Sequence, residues 1–107
     1  MNKVNGNIEA LVQVKTITQN KYGEGVESWT TRTSIKGWLD YQSGDANMSN
    51  FNAKIKDTTH VFVCDYVDLP NEVESRLLID GKEYDVLYVD NPMFLNYHCE
   101  IFLKYVG

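Results

Sequence analysis

The chain has 107 residues, 43% of them hydrophobic and 23% charged, which fits one globular domain over residues 1–107. Its longest apolar runs are four residues, and its first twenty residues lack an apolar core, so neither a membrane span nor a secretory signal is predicted. The net charge is −5, and residues 57–107 hold ten acidic against three basic side chains, which disfavours binding to nucleic-acid phosphates.

The first half of the chain has the pattern of two long β-strands. Ile8 to Thr18 alternates apolar and polar residues and is rich in β-branched side chains. The next stretch, "NKYGEGVES", contains two glycines and an asparagine and is typical of a hairpin connection. Ser28 to Tyr41 reads as the second strand, and Gly37 within it predicts a bulge or bend, as a sheet that curls into a barrel requires.

A long polar segment, "QSGDANMSNFNAKIKD" from Gln42 to Asp57, follows the second strand. It is rich in asparagine and has only isolated apolar residues, so it can add little to a core. Loops longer than about 12–15 residues in compact domains are usually functional or disordered. We expect the long loop, residues 43–57, to carry a function, and a surface insertion without function is the alternative.

The second half of the chain predicts four shorter strands, at Thr59 to Val67, Arg76 to Asp80, Lys82 to Asp90 and Asn96 to Val106. Asp80-Gly81 between two apolar alternations favours a type I′ turn, which needs positive φ at both central residues. About six strands without a convincing helix predict an all-β fold, either an antiparallel barrel or a sandwich.

Four carboxylates lie close in the sequence "RLLIDGKEYDVLYVDNPM", at Asp80, Glu83, Asp85 and Asp90. The first and last mark opposite ends of one strand, roughly 25–30 Å apart, and cannot share a metal or a substrate. Glu83 and Asp85 share a face, which we expect to be turned to water. The opposite face is expected to hold Tyr84, Val86 and Tyr88. These carboxylates are therefore interpreted as the polar part of a hairpin.

A structural zinc site also has enough candidate ligands, namely His60, Cys64, His98 and Cys99. His98 and Cys99 are adjacent in a strand and point to opposite faces, so the four cannot converge on one ion. Both cysteines are expected to be small buried thiols without a disulfide. No nucleophile elbow, Walker loop, dinucleotide fingerprint or His-Glu-x-x-His motif occurs. We predict no catalytic residue, no metal, no cofactor and no enzymatic activity.

The aromatic residues allow an alternative of another class. Trp29, Trp38 and the seven tyrosines could form stacking platforms for single-stranded nucleic acid on an OB-like barrel. Core packing is the favoured interpretation of these rings, because most of them occupy alternating strand positions and few Lys or Arg residues flank them.

With the strands assigned, the sequence resembles a known family over nearly its whole length. Three blocks carry the likeness: "TSIKGWLDYQSGD" (Thr33 to Asp45), "TTHVFVCDY" (Thr58 to Tyr66) and "RLLIDGKEYDVLYVDNPMFLNYHCEIFLKYVG" (Arg76 to Gly107). They are similar to phage head-tail joining proteins, the head-closure or stopper type of long-tailed phages and prophages of Gram-positive bacteria. The shared pattern is Trp38, the Asp80-Gly81 turn before Tyr84, and the final strand.

The resemblance implies a small β-barrel that assembles as a homo-oligomeric ring of six- or twelve-fold symmetry. Such a ring lies below the portal and adaptor, closes the channel after DNA packaging, and offers a platform to tail-terminator or tail proteins. DNA passes through its lumen without sequence-specific binding, and no membrane is involved. Assembly is expected in the bacterial host cytoplasm, with a final location at the head-tail interface. A neighbouring connector or tail-completion role is the second alternative.

The resemblance also implies a role for the long loop between strands 2 and 3, which in such rings projects toward the channel to block DNA exit or to contact the adaptor. The residues so implicated in gating or partner contact are Ser43, Gly44, Asp45, Asn47, Met48, Asn50, Phe51, Asn52, Lys54 and Lys56. Asp80 and Gly81 are expected to have a structural role only. Neighbouring subunits are expected to meet in part through exposed strand edges, which are templates for pairing with another chain.

Overall fold

The structure is a computed structural model that describes residues 6–41 and 57–107. Six strands occupy these residues: β1 (Ile8–Gln19), β2 (Gly25–Tyr41), β3 (His60–Asp65), β4 (Ser75–Ile79), β5 (Lys82–Asp90) and β6 (His98–Tyr105). A short 3₁₀ turn, Pro92–Phe94, precedes β6. The predicted all-β fold with six strands is confirmed, and no α-helix occurs in the described part of the chain.

The strands form one antiparallel sheet that closes into a barrel in the order β1-β2-β3-β6-β5-β4. Closure comes from a short ladder in which Leu11 to Val14 of β1 pair with Ser75 to Leu78 of β4. All other neighbouring strands are also antiparallel, and short connections join the consecutive pairs β1–β2 and β4–β5. The structure therefore resolves the choice between barrel and sandwich in favour of the barrel.

The core fills the inside of the barrel with side chains from every strand. The strands place alternate residues inward except where a bulge interrupts the alternation, and full burial of one such side chain stabilises the fold by about 1.5–3 kcal/mol. The largest fully buried side chains are Phe62, Leu77, Ile101, Leu103, Val12, Cys64 and Cys99.

A β-bulge in β5 changes which of its residues face the core. The pairing with β6 shifts between Val86 and Tyr88, so that Leu87 is an extra residue. After the shift Val89 is buried, whereas Tyr88 lies opposite Phe102 with the two ring centroids 6.4 Å apart. The expectation that Tyr88 shares a face with Tyr84 is wrong, because strict alternation does not continue through a bulge.

Gly37 has a different role from the predicted bulge. The register shift between β1 and β2 falls at Arg32, where Val12 pairs with Thr33 and Gln13 with Thr31. Gly37 lies where β2 changes partner, opposite both Ile8 of β1 and Cys64 of β3. A Cβ atom at Gly37 would collide with the Val63 carbonyl oxygen and approach the Phe62 ring to 2.9 Å. A glycine is needed here because the neighbouring backbone comes too close for any side chain.

We predict that Gly37→Ala lowers the free energy of unfolding by roughly 2 kcal/mol or more, because the β3 backbone must move to admit the methyl group. Gly25→Ala is the matched control, since its new Cβ would meet only the Ile17 Cγ2 atom at an ordinary 3.5 Å. The control is expected to change the unfolding free energy by less than about 0.5 kcal/mol. Urea denaturation followed by circular dichroism measures both, and equal effects of the two substitutions would contradict the prediction.

Candidate interaction surfaces

The closed barrel has two ends, which we call the upper rim and the lower rim. The upper rim joins the end of β2, the start of β3, the β4–β5 turn and the end of β6, at Tyr41, His60, Asp80 and Tyr105. The lower rim joins the ends of β3 and β5 with the starts of β4 and β6. Residues 42–56 connect β2 to β3 and so attach to the upper rim, while the segments 66–74 and 91–97 both belong to the lower rim.

The residues predicted to act in gating or partner contact, from Ser43 to Lys56, lie outside the described residues. Their attachment points on the upper rim are described. His60 is surrounded there by Tyr41, Tyr84 and Tyr105, with centroid distances of 5.5, 5.2 and 6.2 Å. Burial lowers the pKa of His60, which favours its neutral ring. Tyr41, the last described residue before residues 42–56, and His60, at the start of β3, therefore belong to one aromatic cluster.

A second contact fixes the chain as it returns to the barrel. The Thr59 backbone amide donates to the Leu103 carbonyl at 2.8 Å, and the Thr59 Oγ1 atom accepts a hydrogen bond from the Tyr105 amide at 2.7 Å. The same hydroxyl lies 2.9 Å from His60 Nδ1. Thr59 therefore ties the start of β3 to the end of β6 through backbone and side chain together.

The four carboxylates of the β4–β5 region lie at separate positions and do not form one site. Asp80 and Gly81 form the turn, with φ angles of 52° and 77°. Glu83 pairs with Arg76 at 2.8 Å, and the Arg76 guanidinium also lies 4.3 Å from the Trp29 ring centre. Among residues 6–41 and 57–107, no three His, Cys, Asp or Glu side chains come together in a way that could hold a metal ion.

The two cysteines lie directly opposite each other on β3 and β6, both buried and both free thiols. Burial raises the pKa of the Cys64 thiol to about 12, and burial likewise raises the pKa of Cys99, whose Sγ donates to the Val67 carbonyl at 3.4 Å. The two histidines lie elsewhere: His60 in the aromatic cluster, and His98 beside Glu100 at 3.2 Å. The thiols are packed as part of the core and are shielded from reaction.

Most aromatic rings are on the surface, and the expectation that they pack the core is wrong for them. Of the tyrosines only Tyr84 is buried, and Trp38 is 45% exposed. Trp29 is half-buried beneath Arg76. Alternation does not show which face of a strand is turned inward. Trp38 lies next to Leu39, which packs against the core, so Trp38 points outward. Tyr41 and Tyr105 are the last residues of their strands, at the rim of the barrel.

The lower rim is acidic and carries a projecting apolar turn. Its acidic side chains are Asp65, Asp68, Glu72, Glu74 and Asp90. Asn71 holds the 66–74 segment against β5: its side chain accepts from the Val89 amide at 2.8 Å and donates to the Val89 carbonyl at 3.1 Å. This side chain takes the place of a strand partner next to the β5 bulge.

The apolar turn, residues 91–97, is held in an unfavourable backbone conformation. Met93 and Phe94 are 82% and 89% exposed, and both have φ near 55°. Residues with a Cβ atom seldom adopt this region, at a cost of about 1–2 kcal/mol each. Asn91 stabilises the turn, since its side chain accepts from the Asn96 amide at 3.0 Å and donates to the Asn96 side chain at 2.7 Å. An ordered turn that presents two large apolar side chains to solvent is typical of a contact surface.

Sequence inspection did not identify this turn as a surface. The three apolar residues that follow Asn91-Pro92 match neither strand nor helix periodicity. The sequence signal for this turn is the run of three apolar residues itself. The run lies between β5 and β6, whose own inward-facing residues already contribute to the core.

Comparison with protein families decides what kind of molecule carries these surfaces. A family model described as phage head completion protein matches residues 1–105. The chain belongs to the phage head completion family. No curated protein matches it. The solution structure of protein SF1141 from Shigella flexneri 2a is similar in fold, with a TM-score of 0.71 and 15% identity over 100% of this chain and 98% of that one.

Membership confirms the predicted likeness to head-tail joining proteins. Phage head completion proteins are structural proteins of the virion that act with other head and tail proteins where head and tail meet. A source in phages or prophages of Gram-positive bacteria stays a prediction. In the part of the chain that the structure covers, no helix is long and apolar enough to cross a membrane.

The buried Cys64 thiol predicts a loss of stability at alkaline pH. Its pKa is about 12 in the folded chain against an ordinary 9.0, so its contribution is fully present below pH 9 and is lost as the pH rises from about 9 to about 12. At pH 10 the loss is about 1.4 kcal/mol. Cys64→Val removes the titrating group and keeps an apolar side chain.

We therefore expect the fall in unfolding free energy between pH 8 and pH 10 to be smaller in Cys64→Val than in the natural chain by about this amount. Urea titrations at the two pH values measure the difference, and the titrating groups other than the neighbouring Cys99 cancel because both chains share them in the same surroundings. Parallel pH dependence of the two chains would show that Cys64 is not buried in this way.

Proposed function

We propose that this phage head completion protein forms a ring that closes the portal channel after DNA packaging and gives the tail its docking platform. The observation that carries the proposal is the family match over residues 1–105. The two-ended barrel supports it, because a connector component needs one end for the channel and another for the next component.

The upper rim is proposed as the channel side. The long loop, residues 43–57, begins and ends there, next to the cluster of His60, Tyr41, Tyr84 and Tyr105. A loop that must hold back DNA under pressure needs fixed ends. The contacts among the aromatic side chains of this cluster and the Thr59 hydrogen bonds fix those ends. In a ring, each subunit contributes one loop to a shared gate.

The lower rim is proposed as the tail side. The apolar turn at Met93 and Phe94 lies at this end and is exposed, and Phe94 lines a cleft together with Asp68, Glu72 and Asp90. Burying two large apolar side chains on association contributes a few kcal/mol per subunit, and a ring repeats the contact. The acidic surroundings favour a tail protein with basic side chains around an apolar pocket.

DNA in this scheme passes through the ring without being bound. Residues 57–107 hold ten acidic and three basic side chains, so the second half of the chain repels phosphate. A neighbouring connector or tail-completion position is the alternative within the same family, and the two differ in whether loss of the chain releases packaged DNA.

The gating role predicts the effect of shortening the long loop. Replacing Ser43 to Lys56 with a short Gly-Ser turn should leave a folded barrel, because β2 and β3 are neighbours in the sheet. Filled heads assembled with this variant are expected to lose their DNA, measured as the nuclease-sensitive fraction of packaged DNA. The matched control replaces Lys21 to Glu24 at the opposite end with Gly-Ser residues of equal number. Stable, infectious particles from the loop variant would contradict the gating role.

The docking role predicts a different defect at the lower rim. Met93→Ser together with Phe94→Ser should give heads that retain DNA but join tails at least about tenfold less often, because the apolar contact is lost and the remaining polar contacts add little. Mixing filled heads with purified tails and counting infectious particles measures joining.

Val106→Ser serves as the matched control for this defect, since Val106 is an exposed apolar residue beyond the end of β6, at the upper rim. It is expected to join tails normally. Normal joining by the Met93 and Phe94 variant, with an intact fold by circular dichroism, would remove the apolar turn from the docking surface.

A further inference from the structure

The hairpin of β1 and β2 extends well past the barrel as a two-stranded ribbon, which we call the arm, Lys15–Gln19 and Gly25–Thr31. Within the arm the strands pair only with each other, from Lys15 opposite Trp29 to Gln19 opposite Gly25. On its outer side β1 pairs with β4 only from Leu11 to Val14, and β2 pairs with β3 only from Gly37 to Tyr41. Among the described residues, both long edges of the arm therefore lack a strand partner.

The direction of the edge groups follows from two hydrogen bonds. The Lys15 amide donates outward, to the Glu74 carbonyl at 2.9 Å, and the Asn20 amide donates inward, to the Glu24 carbonyl at 3.0 Å. Since direction alternates along a strand, the amides and carbonyls of Ile17 and Gln19 face the outer edge of β1.

The same alternation fixes the other edge. Residues directly opposite each other in an antiparallel ladder either bond to each other or both point away. Trp29 lies opposite the outward-pointing Lys15, so the backbone groups of Trp29, Glu27 and Gly25 face the outer edge of β2. The arm thus carries donors and acceptors on both edges and contains no proline, and the register shift of this hairpin lies just outside it, at Arg32.

We propose that the two edges of the arm are complementary to each other, so that the β2 edge of one copy pairs with the β1 edge of a second copy of this chain. The proposal rests on the proposed ring and names its contact: the arms would lie side by side and form a continuous antiparallel sheet around the axis. Its occupant is a second copy because one ribbon carries both of the edges that such a sheet requires.

Cyclic symmetry makes this pairing consistent in direction. Rotation about the ring axis keeps every arm pointing the same way, so β2 of one copy meets the next β1 running antiparallel to it, as β1 and β2 do within a chain. The contact is heterologous, using two different edges, and repeated heterologous contacts close a ring.

The side chains are also consistent with it. The edge-facing residues on both strands, Ile17 and Gln19 on one and Glu27 and Trp29 on the other, point to one face of the arm, since Ile17 lies opposite Glu27. Pairing these residues across copies continues that face from arm to arm without a register conflict. Ile17, 68% exposed in the single chain, would be covered by the neighbour, a gain that a lone two-stranded ribbon cannot make.

Cross-linking between copies tests the pairing directly. Gln19→Cys and Glu27→Cys variants, one carrying a mass tag, are mixed in equal amounts and treated with a short bis-maleimide at neutral pH. The natural thiols give little background because Cys64 and Cys99 are buried. The control pairs Gln19→Cys with Lys82→Cys, an exposed position at the upper rim.

We expect the Gln19–Glu27 mixture to form the mixed dimer on the order of tenfold faster or more than the control, because paired edges raise the effective concentration of the two thiols. Sedimentation velocity over a rising concentration series should show the natural chain associating. Equal cross-linking rates in the two mixtures, or a monomer at every concentration, would overturn the edge pairing.

A proline variant separates edge pairing from other contacts. Glu27→Pro removes an amide that faces outward, so it should leave the ladder within the arm and the thermal midpoint little changed while association is lost. Glu27→Gln keeps the amide and should associate as the natural chain does. If Glu27→Pro folds and still associates, the β2 edge is not the contact.

Failure of the arm pairing can be distinguished from failure of the proposed function. If the arms do not pair but filled heads still retain their DNA, the proposed function stands and the subunits of the ring meet through another contact.

Discussion

Closure of the sheet through the short ladder between β1 and β4 is the constraint on which the rest of the molecule depends. A six-stranded sheet left open would expose two edges and half of its apolar face, whereas a closed one satisfies the backbone and surrounds a single core. The ladder uses only four residues of a twelve-residue strand. Beyond Val14, β1 pairs only with β2, and these two strands extend past the barrel. The arm therefore begins where the ladder between β1 and β4 ends.

Closure also separates the two rims. With antiparallel strands, every connection joins strand ends on one side of the barrel or the other, so Tyr41 and His60 lie at the end of the barrel opposite the apolar turn. Different interactions stabilise the two ends. Contacts between aromatic side chains and the hydrogen bonds of Thr59 stabilise the upper rim, whereas the side-chain hydrogen bonds of Asn71 and Asn91 stabilise the lower rim.

Much of this fold could be predicted from sequence, because the signals were short-range. Alternation found the strands, and Asp80-Gly81 marked a turn whose two φ angles are positive. The failures came from effects that need three dimensions. The Leu87 bulge moved Tyr88 out of the core, and Gly37 proved to be a point of close approach. Trp38 points away from the core, while Tyr41 and Tyr105 lie at strand ends.

The candidate surfaces were harder to predict than the fold. The long loop was singled out by its length and polarity, whereas the turn at Met93 and Phe94 gave no periodic signal, and its exposure depends on the left-handed backbone that the two asparagines hold. The arm edges could not be predicted at all, since a strand reveals its unpaired side only when the register of every neighbour is known.

The buried thiols have a consequence for the particle after it leaves the cell. A virion passes from reducing to oxidising surroundings, where accessible thiols form disulfides or sulfenic acids. Cys64 and Cys99 face each other across two strands, yet each is shut inside the barrel and resists ionisation, and the thiolate is the form that oxidises. The barrel can thus keep the same covalent structure in reducing and in oxidising surroundings.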